Sequence, residues 1–266
     1  MGNIGATVAA LEQALSGDEM SEPILVAENL SRRFGNFVAL NNVSCTFQQG
    51  QLTAIIGPNG AGKSTFFNLL TGAIAPSQGK IRFDGRDITG IAQHEFARIG
   101  IAKSFQITNV FKQLSAHENI RVAAQMRASR FDFLRSRVSL DTVSKSADVL
   151  LERVGLAALG KRLAGELAHG QQRSLEIAMA LASEPKLLLM DEPTAGMSPE
   201  ETSTMMSLIR TLSTERTVIL VEHKMKLVMG LCERLIVLHH GMLLADGTPD
   251  EIRANAEVRR VYLGQS

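Results

Sequence analysis

GPNGAGKST, running from Gly57 to Thr65, is the stretch on which the reading of this chain turns, because it fits the spacing G-x-x-x-x-G-K-[ST]. Glycines here let the backbone curl until successive N–H groups face one anion. The helix that follows adds the positive end of its dipole. Within the candidate cradle of Gly57, Pro58, Asn59, Gly60, Ala61, Gly62, Lys63, Ser64 and Thr65, Lys63 is placed to reach β and γ phosphates and Ser64 to ligate Mg²⁺. Thr65 is left for the inner phosphates. The flanks agree. QLTAII (Gln51–Ile56) is a short apolar run, expected of a strand buried on both faces. FFNLLTG then has helical spacing and stops at Gly72. A strand, a glycine loop and a helix in that order point to a nucleoside triphosphate rather than to an ordinary turn.

A second acidic site lies downstream. LLLMDE (Leu187–Glu192) is an apolar strand ending in two carboxylates. Asp191 at the strand end suits a Mg²⁺ contact. Glu192, next along, suits polarisation of an attacking water.

Composition narrows the class. The 266 residues carry 28 basic and 27 acidic side chains, a net charge of +1. A nucleic-acid binder usually shows a basic excess or stripe, so no nucleic-acid partner is expected. Cys45 and Cys232 stand far apart in apolar contexts and read as reduced core thiols. No apolar run reaches the ~18 residues of a membrane span, and the first residues lack the basic start of a signal peptide. Residues 1–22 read as an extension with a short helix at Val8–Leu15.

Along the chain, ILVAENLSRRF and FVALNNVSCTF read as antiparallel strands meeting near Gly35 and Asn36, and GKIRFDG as a further strand. From Ser115 to Ala182 the apolar spacing is helical, so a helical block sits inside an α/β chain. The α/β pattern resumes with KLLLM, PEETSTMMSLIRTL, TVILV, HKMKLVMGLC and RLIVL, followed by a hairpin at Gly241. Thr248, Pro249 and Glu251 then spell a helix start: cap, first position and capping box.

The cradle, LLLMDEPT and the intervening LAHGQQRSLEIAMAL resemble the ATP-binding subunit of ABC transporters, over roughly Ile24 to Leu263 and in the family's order. The resemblance implies a P-loop ABC-type ATPase core with an antiparallel β subdomain and an inserted α-helical subdomain. It divides the chain into an extension (1–22), a nucleotide-binding core (23–106 and 183–248), a helical subdomain (107–182) and a helical tail (249–266). It implies ATP and Mg²⁺ as cofactors. Phe34 in SRRFG matches the aromatic that stacks on adenine, Gln106 in KSFQITNVF the loop glutamine that touches Mg²⁺ and water, and His223 in ILVEHKM the histidine that contacts the γ-phosphate. Leu167, Ala168, His169, Gly170 and Gln171 match the signature segment that meets the ATP of a partner subunit. Ala168 stands where the family has Ser, and Ser198 where it has an Asp that couples the two sites. His169 has three readings: a replacement donor, a helix cap, or a solvent-facing ring. The N–H groups at Gly170 are expected to be free to meet an anion.

The similarity extends to the ATPases of branched-chain amino acid importers and their relatives for urea and short amides, through HGQQRSLEIA, AGMSPEET and the terminal VRRVYLG. That implies a head-to-tail pair with a second, paralogous ATPase subunit, two membrane permeases, an indirect link to a solute-binding protein, and a peripheral place on the cytoplasmic face of the membrane. The groove for the permeases would take Asn109, Val110 and Phe111, with subdomain core as the other reading of Phe111. Soluble relatives acting on DNA or ribosomes carry a long coiled coil or two ATPase units, and neither pattern occurs here. A P-loop kinase would lack the GQQRSLEIA helix.

Overall fold

A computed structural model of the chain describes residues 23–104, 110–125 and 138–263. The extension at residues 1–22, with its expected helix, lies outside them. Two sheets organise the molecule. The smaller is antiparallel, in the order β2 (Phe37–Phe47), β1 (Leu25–Phe34), β4 (Gln78–Phe83), β5 (Arg86–Asp87). Strands β1 and β2 meet where Phe34 pairs with Phe37, across the turn at Gly35 and Asn36. Strands β4 and β5 turn on Asp84 and Gly85, both left-handed at φ 51° and 74°, as a tight hairpin requires.

The larger sheet has six strands in the order β10 (Met242–Gly247), β9 (Arg234–His239), β3 (Leu52–Ile56), β8 (Thr217–Val221), β7 (Leu187–Asp191), β6 (Ile101–Ser104). All its pairings are parallel except β9 with β10. All five residues of β3 are buried, as are all five of β8, which is why both read as unbroken apolar runs. Their side chains still alternate between two cores. Leu187, Leu189, Ile219 and Val221 face one core, with the antiparallel sheet and α1 (Lys63–Leu70). Leu188, Met190, Val218 and Leu220 face the other. Burial of such side chains stabilises by roughly 1.5–3 kcal/mol each before conformational entropy is set against it.

The second core is roofed by helices: α3 (Ala116–Gln125), α4 (Val138–Arg153), α5 (His169–Leu181), α6 (Pro199–Ser213) and α7 (Met225–Leu231). The expected helical block therefore occupies the middle of the chain, as α3 to α5. A helix α2 (Gln93–Ile99) leads into edge strand β6. At the end of the chain, α8 (Pro249–Ala254) starts as its sequence prescribes: the Thr248 N–H donates to Glu251 Oε2 at 2.7 Å, and the Glu251 N–H to Thr248 Oγ1 at 3.3 Å. Helix α9 (Ala256–Leu263) follows. Cys45 and Cys232 are free and buried, and burial pushes both thiols up to about 12.

Candidate functional site

The cradle, Asp191, Glu192 and His223 lie at or just past the carboxyl ends of parallel strands, where open α/β sheets bind ligands. The cradle follows β3. Gly60 and Gly62 are left-handed, at φ 78° and 99°. At Gly57 the constraint is proximity: a Cβ there would overlap the backbone oxygen of Leu238. Helix α1 begins at Gly62 with no side-chain cap, so its first-turn donors are left to the cradle. Ser64 is exposed and Thr65 half-buried at that end. The loop is held from below by the β9–β10 hairpin, where the Gly241 N–H donates to Ala61 O at 3.0 Å.

Lys63 is only 8% exposed. Its Nζ donates to the carbonyls of Gly57 (2.7 Å) and Pro58 (3.0 Å), which curl the ammonium over the loop. Burial pushes its pKa below the usual lysine range, and the negative charges of Glu192 and Asp191 push back. Asp191 is the mirror case. Burial lifts its carboxyl above the usual range and Glu192 adds to that, while Lys103, Arg173 and Lys63 pull it down. The ammonium of the cradle and the two strand-end acids therefore share one electrostatic field, although 127 residues of chain separate Lys63 from Asp191.

Glu192 takes a left-handed backbone at φ 44°, rare for a residue with a side chain. Its N–H donates to Val221 O at 2.9 Å, tying it to the end of β8. There His223 Nδ1 lies 3.5 Å from Glu192 Oε1. The half-exposed imidazole and the acid thus meet across adjacent strands. Below them sits Glu222, fully buried, a residue the sequence reading passed over. Thr194 Oγ1 donates to its carboxylate at 2.5 Å, and the His223 N–H donates to it at 3.2 Å. The only signal was the DEPT threonine, whose partner stands 28 residues on.

Phe34 is 47% exposed, so it is no core aromatic. The Arg32 guanidinium stands over its ring at 4.6 Å. Strand β2, after the same hairpin, leans on the cradle: a Cβ at Gly62 would stand 2.9 Å from Ala39 O. Gln106 and Asn109 lie outside the described residues; β6, which leads to them, pairs Ser104 with Met190 beside the acids. Phe111 is 53% exposed, which removes the core reading, while Val110 packs on the helical core. Asn119, fully buried, pins this turn: its Oδ1 accepts from the Phe111 N–H at 2.8 Å and its Nδ2 donates to the carbonyls of Phe111, Leu114 and Ser115.

The signature segment is a helix start. Leu167 is buried, Ala168 occupies the cap of α5, and Gln171 Oε1 accepts from the Ala168 N–H at 3.0 Å. His169 is therefore not the cap; it is an exposed first-turn residue whose Cε1 would stand 3.6 Å from a Cβ at Gly196. One expectation needs correction. The Gly170 N–H is not free, since it donates to Glu201 Oε1 at 3.0 Å. Ser198 caps α6, and Glu201 closes that capping box, accepting from the Ser198 N–H with its other oxygen at 3.0 Å. Further along α5, Arg173 and Glu176 form a buried ion pair at 2.7 Å, and Arg173 Nη2 donates to the backbone oxygen of Asp191 at 2.9 Å.

Comparison with known proteins gives the family. Residues 40–195 match the family model for the ABC transporter, and residues 242–266 that for the branched-chain amino acid ATP-binding cassette transporter. The chain is 43% identical to the high-affinity branched-chain amino acid transport ATP-binding protein BraF of Pseudomonas aeruginosa, over 93% of this chain and all of that one. The structure of the ADP conformation of MJ1267, an ATP-binding cassette of an ABC transporter, superposes with a TM-score of 0.80 at 31% identity, covering 92% of this chain and 100% of that one. A dimeric post-hydrolysis state of the cassette MJ0796 with ADP and Pi gives a TM-score of 0.71 at 27% identity, covering 85% and 98%. Matched in sequence along nearly its whole length and in fold to ATP-binding cassettes, this chain is a member of the ABC transporter family, one of its ATP-binding, ATP-hydrolysing subunits.

Proposed function

We propose that this cassette is the motor of an importer for branched-chain amino acids, and that it works as one half of a head-to-tail pair with a paralogous ATPase subunit. The observation that carries the reading is the convergence of Lys63, Asp191, Glu192 and His223 at the ends of three adjacent strands. In this reading the cradle holds the phosphates, Lys63 neutralises the terminal ones, and Phe34 stacks on the base. Glu192 orients the attacking water and accepts its proton, and His223 positions the γ-phosphate. Gln106 would meet the same water and metal. The solute is supported by the relatives' transport role and by the matching tail, and the peripheral place on a membrane by the role of the family. Among the described residues no helix is long and apolar enough to cross a membrane. The exposed Phe111, held out by Asn119, suits a groove for two permease subunits.

Mg²⁺ fits the residues present. Among the described residues no cluster of three or more His, Cys, Asp or Glu could hold a metal alone. Mg²⁺ in phosphoryl-transfer sites asks for less: one or two protein oxygens plus substrate phosphates and water. Ser64 and Asp191 are oxygen donors of that kind, and when bound the ion supplies charge neutralisation at the leaving phosphate.

Chain-by-chain the site is half a site, because Leu167 to Gln171 would close on the partner's nucleotide. A Glu192→Gln variant, which binds but turns over slowly, tests this. It is expected to form an ATP-dependent dimer in sedimentation, alone or with its paralogue; a monomer at saturating ATP in both mixtures overturns the paired clamp.

A further inference from the structure

Gly170 and Glu201 are 31 residues apart, yet the carboxylate of one occupies the donor of the other. The contact is built rather than incidental. Glu201 holds two segments at once, Oε1 on the Gly170 N–H and Oε2 on the Ser198 N–H, each at 3.0 Å. A Cβ at Gly170 would stand 2.7 Å from Glu201 Oε1, so a side chain there would push the carboxylate off this donor. Gly170 lies in the helix and is not left-handed, so this close approach, not backbone conformation, is what a side chain there would disturb. The helix dipole favours an anion at this end, and the chain supplies one of its own.

We propose that Glu201 is an internal stand-in for phosphate: it latches the signature segment in the free chain and yields the Gly170 N–H when the partner's nucleotide arrives. The inference rests on the reading that Leu167–Gln171 faces that nucleotide. On closure the Gly170 N–H breaks from Glu201 Oε1 and donates to a phosphate oxygen. Glu201 keeps its bond to the Ser198 N–H and swings its freed oxygen to solvent. Two anions cannot share one donor at hydrogen-bond distance without repulsion, so the carboxylate opposes closure until the triphosphate outcompetes it. The latch makes an empty or diphosphate-bearing partner a poor trigger, because neither brings a terminal phosphate to the donor.

The distinguishing variant is Glu201→Gln. A glutamine still closes a capping box through its one acceptor oxygen, so α6 keeps its start, while the charge and the second acceptor are gone. Dimerisation is measured by sedimentation against ATP in the Glu192→Gln background, alone and with the paralogous subunit, with and without Glu201→Gln. The latch predicts that half-maximal dimer forms at about tenfold lower ATP in the double variant, the scale of one charge-assisted hydrogen bond no longer exchanged, and that Glu201→Ala shifts it the same way. A merely structural role predicts weaker dimerisation and a lower melting temperature instead. An unchanged or raised ATP requirement, in a parent that dimerises normally, overturns the latch and leaves the paired clamp standing. A parent that never dimerises overturns the clamp itself, and the latch with it.

Discussion

Lys63 shows what one residue must reconcile. It is a cation in a nearly dry place, which burial disfavours, and it is kept there by two carbonyls of its own loop and by two acids from another strand. A triphosphate would take over that compensation. Lys63→Ala is therefore expected to weaken ATP binding at least about a hundredfold, the loss of charge-assisted bonds at about 1.5–3 kcal/mol each, measured by calorimetry on the folded variant. Near-normal binding would remove Lys63 from the cradle. The spacing that identified Lys63 was legible because a phosphate loop is local: nine consecutive residues make it. The same holds for Asp191 and Glu192, written at the end of one apolar run. The state of those residues was not legible. The burial of Lys63, the lifted Asp191 and the left-handed Glu192 are properties of the folded chain that no local spacing writes out.

Among the elements, α5 is the one that ties two regions together. Its first turn carries the signature residues, and its second carries Arg173, which reaches the carbonyl of Asp191. The helix that starts at the signature segment is thus bonded directly to the residue before Glu192. The ion pair with Glu176 keeps Arg173 from being a lone buried charge, at 4% and 5% side-chain exposure. Removing one partner of such a pair costs about 3–5 kcal/mol, because the other charge stays buried. Arg173→Met should destabilise by that scale in chemical denaturation, and adding Glu176→Leu should recover much of it. Recovery of stability without recovery of ATP turnover would mark the bond to Asp191 as the functional part. If Arg173→Met melts like the parent, the pair is not the brace described here. Helical spacing revealed that GQQRSLEIA is a helix, but periodicity does not say which strand end its arginine will meet.

At the scale of the whole molecule, the six-stranded sheet divides the protein into two cores, and its carboxyl edge gathers Lys63, Asp191, Glu192 and His223. The larger core holds the helical block, and Phe111 stands exposed in the turn that leads into α3. In the proposed reading that turn is a docking surface for permease subunits; among the described residues no helix is long and apolar enough to cross a membrane. In the proposed reading the solute is chosen by those partners, so it is tested at that scale. With both permeases, the paralogous ATPase and the binding protein in proteoliposomes, leucine-loaded binding protein is expected to raise ATP turnover several-fold. Stimulation by urea and not by leucine would reassign the solute while leaving the motor intact.

Read alone, the chain yields most of its strands and helices, the candidate phosphate loop, the acid pair and the helix cap at Thr248, because each rests on contacts within a few residues and on the two periodicities of backbone geometry. Tertiary structure alone decided that Phe34 and Phe111 stand exposed, that Glu222 lies under His223, and that Glu201 takes the donor of Gly170. Those depend on which strand ends become neighbours in the sheet and how closely two helix starts approach. Burial, which sets the strength of every charge in the site, exists only once the two cores have closed.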